Sequence, residues 1–136
     1  MRVTLFHNVS ADECGRSWGA FGYQPGDALV PVFDYEDDTS PNVRGALEQA
    51  WERFNVGTDK LAASYRARRN RSLSVGDVVL IRGERTTWHA VASLGYDQID
   101  APTTLVWASQ HGTEPLPRGH GRRSYAIPLG ARKLDY

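Results

Sequence analysis

The sequence predicts an α+β fold in a single domain: a curled or partly closed antiparallel sheet, small and barrel-like, that carries one or two helices. Three observations lead there. Alternating apolar and polar residues mark extended segments toward both ends of the chain. A single amphipathic stripe at helical spacing lies between them, and "VVLI" at 78–81 is an unbroken apolar run entered through a Gly-Asp corner. At 136 residues the chain has the length of one domain, 1–136, and no linker or internal repeat divides it. A domain of that size buries roughly two-thirds of the surface of its unfolded chain, so its core needs no disulfide staple.

The amino-terminal strands and loop occupy 1–40. "RVTLFHNV" sets Val3, Leu5 and His7 against Thr4, Phe6 and Asn8, a strand with two partly apolar faces. The glycine-rich "SADECGRSWGAFGYQPGD" is a loop ending in a Pro25-Gly26-Asp27 turn. "ALVPVFDYE" returns as a strand that Pro31 confines to an edge or a bulge, because proline has no N–H for the ladder.

A helix is predicted over 42–54. Ser40 is placed to cap it, and Pro41 suits its first turn. Val43, Leu47, Ala50, Trp51 and Phe54 form its apolar stripe, which makes Trp51 a core anchor; Asn55 and Gly57 end it. A shorter helix follows at 59–70, with Leu61, Ala62 and Tyr65 inward and Arg66, Arg68 and Arg69 outward. Gly76 and Asp77 then turn the backbone, since glycine tolerates positive φ and aspartate hydrogen-bonds nearby backbone. "VVLI" reads as a strand buried on both faces and therefore central. "TWHAVASLGYDQI" returns as one or two strands, with His89 facing solvent. "TTLVWAS" and "YAIPL" are further short strands, and the basic Gly/Pro loop at 110–124 between them is irregular.

Net charge is zero, yet the charges divide unevenly. Residues 1–60 hold five basic and ten acidic side chains; residues 61–136 hold eleven basic and six acidic. Fourteen of the sixteen basic residues are arginine, whose planar donor fork fits carboxylates and phosphates. No apolar run approaches the roughly 18 residues of a membrane helix, and "MRVTLFHNVS" is too short and too alternating for a secretory leader. Cys14 is the lone cysteine, which agrees with a reducing compartment, so a cytoplasmic, non-membrane protein is expected.

Residues 46–99 contain a helix ending in Arg53-Phe54-Asn55, a basic lead-in, "RSLSVGDVV" from Arg71 to Val79, and a returning strand that ends Ser-x-Gly-aromatic at Ser93 to Tyr96. This pattern resembles the YodL-like domain family, small bacterial domains often found in proteins of conjugative or integrated elements. The amino-terminal "MRVTLFHNV" with "GYQPGD" is similar to small actinobacterial proteins that pair it with such a domain. The resemblance implies an accessory role in a mobile element, and transfers no reaction or catalytic residue.

The constellation with most chemical content is cationic. Arg66, Arg68, Arg69 and Arg71 fall within six residues, and Arg118, His120, Arg122 and Arg123 share a glycine-rich loop. Brought together they would engage nucleic acid or an acidic protein surface, with Tyr65 and Trp88 available to stack on bases. Neutralising about four to six phosphates predicts a log–log salt slope near −4 to −5 on duplex DNA. The bland alternative pairs these arginines with Asp34, Glu36, Asp37 and Asp38.

Catalytic motifs are thin. "GRSWG" around Ser17 lacks the strand and helix that a nucleophile elbow requires. Acidic neighbours would raise the Cys14 thiol pKa. His7, His89, His111 and His120 show no metal-ligand spacing, so neither metal nor cofactor is expected. "RGHGRR" has no phosphate-loop lysine. The expectation is a non-enzymatic binding protein. The alternatives are a small enzyme using His7, Asp12, Cys14 and Asp34 beside the amino-terminal loop, or a structural domain that self-associates into a homo-oligomer.

Overall fold

The computed structural model describes residues 1–11 and 22–106, together with the strand backbones at 116–117 and 126–128. Among the described residues, nine strands and two helices follow in the order β1 (Arg2–Asn8), β2 (Ser10–Ala11), β3 (Leu29–Glu36), α1 (Val43–Val56), α2 (Lys60–Ala67), β4 (Val78–Arg82), β5 (Thr86–Ala92), β6 (Gly95–Ile99), β7 (Thr104–Val106), β8 (Leu116–Pro117) and β9 (Ala126–Pro128). Seven strands form one sheet in the order β6-β5-β4-β1-β3-β7-β9, curled into a half-barrel. The α+β expectation holds. The sheet is mixed and not purely antiparallel, because β7 joins β3 in parallel at Leu29 and Leu105. The 110–124 loop also carries β8, paired in parallel with β2.

β1 is central, and its register explains the core. Leu5 faces Phe33 on one side and Val79 on the other; Val3 faces Tyr35 and Ile81. These rows share one face, and α1 and α2 cover it with Ala46, Leu47, Ala50, Phe54 and Tyr65. The opposite face gathers Phe6, Leu29, Val78, Leu80, Trp88, Ala90 and Leu105 into a second cluster. Every residue of "VVLI" is buried, as a run apolar on both faces requires. Pro31 lies at a bulge: Leu5 pairs with Phe33 and Phe6 with Pro31, so Val32 is the extra residue. That places a proline, which has no N–H to donate, at an irregularity of an interior strand.

The cap of α1 differs from expectation. Asn42 is the N-cap, accepting from the Gly45 amide at 2.9 Å. Ser40 is already engaged by Asp37, which accepts from the Ser40 hydroxyl at 2.6 Å and from the Thr39 and Ser40 amides. Gly57 caps the end of the helix, its amide donating to the Arg53 carbonyl, and the position needs glycine because a β-carbon there would collide with that carbonyl. Asp59 caps α2 through the Ala62 amide.

Two further side chains lie elsewhere than predicted. Trp51 is 44% exposed, not a core anchor: Ala46, Ala50 and Phe54 centre the buried seam and leave Trp51 on its flank. His89 is buried, not solvent-facing, because it stands beside Val79 on the face that the helices cover; its Nε2 lies 2.8 Å from the Thr87 hydroxyl.

Candidate functional site

The arginine-rich stretch begins at the end of α2, and the fold divides its four guanidinium groups into two kinds. Arg66, Arg68 and Arg69 are exposed, and none forms an ion pair with a carboxylate among the described residues. Arg66 donates to the Gly57 carbonyl. Arg68 lies 5.1 Å from the centre of the Phe33 ring, a cation–π contact that leaves its charge uncompensated. Arg69 takes φ 61°, the left-handed conformation in which the chain leaves the helix. Asp59, whose carboxylate feels Arg66, is committed to its cap and to Arg53 at 2.7 Å.

Arg71 is the other kind. Its Nη1 and Nη2 donate to the two carboxylate oxygens of Asp77 at 2.7 and 2.8 Å, and Nη1 also donates to the Ser74 hydroxyl and the Ser72 carbonyl. Asp77 is buried and accepts two backbone amides besides, from Asn8 and Ser74. The expectation of Arg71 as a free anion ligand is therefore corrected. A bidentate partner at that distance occupies the donors a phosphate would need.

Beneath this pair runs a buried polar network. The Tyr65 hydroxyl donates to the Arg71 carbonyl at 2.6 Å and lies 2.7 Å from His7 Nε2. Since the phenol spends its proton on the carbonyl, Nε2 must carry hydrogen and donate to the phenol oxygen. Burial lowers the His7 pKa to about 4, so the ring is neutral; burial likewise pushes the Tyr65 phenol well up. Asn8 ties Asp77 to a second buried carboxylate: its Nδ2 donates to Asp27 at 2.8 Å and to the Gly76 carbonyl at 3.1 Å. Gly76 holds φ 95° in the turn closed by the Asp77 amide on the Ser74 carbonyl. The network thus fixes the segment from Tyr65 to Asp77, and the exposed arginines stand on it.

Burial also corrects the stacking assignment. Tyr65 is wholly inaccessible, wedged against Phe33 and Phe54 with ring centres 5.5 and 4.8 Å away, and Trp88 packs on Phe6 at 5.4 Å. Neither ring can receive a base. Of the enzymatic alternative, His7 faces the helices whereas Asp34, opposite Thr4, points to the other face of the sheet and is held by Arg2 at 2.8 and 2.9 Å. These two do not converge. Asp12, Cys14, Arg118, His120, Arg122 and Arg123 lie outside the described residues.

Sequence reasoning missed Asn8, Asp27 and the depth of Asp77. The only available sign was an aspartate set directly before an unbroken buried strand, where a carboxylate must find several donors. Among the described residues, no group of His, Cys, Asp and Glu is placed to hold a metal ion, and no helix is long and apolar enough to cross a membrane. Comparison of the chain with protein-family models, curated proteins and solved structures finds no match.

Proposed function

We propose that the chain is a non-enzymatic binding module whose arginine rim engages the phosphate backbone of nucleic acid. Accessory service in a mobile element, implied by the YodL-like resemblance, belongs to the same proposal. One observation carries it: Arg66, Arg68 and Arg69 are exposed and form no ion pair among the described residues, on a segment held by the hydrogen bonds of Tyr65 and Arg71. A fixed base lowers the ordering cost of binding. With Tyr65 and Trp88 buried, the reading that follows is contact with phosphates and not with bases, hence little sequence preference.

The test is fluorescence anisotropy with labelled duplex and single-stranded DNA at about 50 and 200 mM salt. Three phosphate contacts imply a log–log slope of about −2.7, a loss of about 40-fold over that range. The duplex should bind as well as the single strand, which offers no stacking advantage here. Undetectable binding at the lower salt ends the nucleic-acid reading. Displacement of the DNA by polyglutamate at equal charge concentration would instead favour an acidic protein surface as ligand.

A further inference from the structure

Three large apolar side chains are exposed among the described residues, Trp51, Val56 and Leu94, at 44, 74 and 97%. All three line one groove of about 600 Å³, between the carboxyl-terminal half of α1 and the β5–β6 turn. Scattered exposed apolar residues are ordinary, but convergence on one concavity is the mark of a binding surface. Leu94 is the most telling. It sits in a hairpin turn next to Gly95 at φ 90°, where polar residues are usual, and its side chain contributes almost nothing to the fold.

The rim of the groove is acidic. Glu52 lines the same groove and forms no ion pair among the described residues, while Glu48 beside it is tied only to the exposed Arg44. Apolar walls with an acidic rim call for an apolar group flanked by a cation.

We infer that this groove docks a short segment of a partner protein in which an apolar side chain is followed by lysine or arginine. The apolar side chain packs against Trp51, Val56 and Leu94, and the cation meets Glu52. A second copy of this chain is the poorer occupant, because a two-fold contact through the groove would bring the Glu52 carboxylates of both copies together. The groove borders the arginine rim, since Arg66 donates to the carbonyl of Gly57 next to Val56, but it shares no residue with that rim, so either proposal can fail without the other.

The test uses the full chain and two capped synthetic peptides, one alternating leucine with lysine and one alternating leucine with glutamate, followed by NMR shift perturbation. The leucine–lysine peptide should bind more tightly, with shifts confined to Trp51, Glu52, Asn55, Val56 and Leu94. Leu94→Ser, at a side chain that holds nothing, should abolish binding while leaving the spectrum of the core unchanged. Glu52→Lys should lower affinity for the leucine–lysine peptide about tenfold and raise it for the leucine–glutamate peptide. Equal binding of both peptides, shifts elsewhere, or an unchanged affinity in Leu94→Ser overturns the proposal. So does a concentration-dependent dimer whose interface contains Trp51 and Leu94, which would make the occupant a second copy.

Discussion

Replacing Asp77 and Arg71 separately by alanine separates a structural arginine from a ligand-binding one. The two are partners, yet their losses are unequal. Asp77→Ala removes the acceptor of four hydrogen bonds, two of them from the backbone amides of Asn8 and Ser74. The Asn8 amide is buried, and an unsatisfied buried donor costs about 1–3 kcal/mol. With the second amide and the vacated volume, about 3–5 kcal/mol of stability should go. Arg71→Ala leaves the carboxylate with both amides, and the departing side chain was 46% exposed, so water enters in its place. About 1–2 kcal/mol is the expected loss, below the range for a fully buried pair. Urea unfolding of both variants at neutral pH measures the difference. Equal losses, or less than about 1 kcal/mol for Asp77→Ala, would refute the assignment of Asp77 as the hub.

Other consequences follow from the same structure. The folded pKa of His7 is about 4 against 6.5 unfolded, so its contribution is complete above pH 6.5 and is lost as pH falls toward 4; the window holds about 3 kcal/mol. His89, lowered by burial, has the same sign, so His7→Gln should flatten most but not all of that slope in denaturation followed against pH. Phe54→Ala should cost about 3–5 kcal/mol whereas Trp51→Ala costs less than about 1, the reverse of what two equal core anchors would show. Gly76→Ala forces a β-carbon into φ 95° and should lower stability by about 1–2 kcal/mol, read in the same unfolding assay.

Local pattern carried the architecture a long way. "VVLI" as a central strand, the bulge at Pro31, the Gly76-Asp77 corner and both helices followed from spacing, proline chemistry and turn propensity alone. What spacing could not carry was pairing. Asn8 reaches Asp77 across 69 residues of chain and His7 reaches Tyr65 across 58, and nothing in a single sequence ties such distant polar groups together. Arg71 therefore looked like its neighbours Arg68 and Arg69 although it is spent inside the fold. Tyr65 and Trp88 failed as stacking platforms for a related reason: aromatic residues beside arginines match a binding face and a core wall equally well. Trp51 and His89 were misplaced because an apolar stripe defines a helix seam only to within a residue on its flank, and strand alternation does not tell which face of the sheet the helices cover. The parallel pairing of β7 with β3 depends on where a long connection returns, which local periodicity does not encode.

The measurement closest to the central claim is the salt dependence of duplex DNA binding for the intact chain, for Arg71→Ala, and for a triple variant with Arg66, Arg68 and Arg69 all changed to alanine. If the guanidinium groups of Arg66, Arg68 and Arg69 meet phosphates, the triple variant loses about 2.7 from the slope and only about 1–2 kcal/mol of stability, through the Arg66 bond to Gly57 and the Arg68 contact with Phe33, while Arg71→Ala loses stability and keeps the slope. A slope indifferent to the triple change, or one that falls with Arg71 alone, would contradict the account.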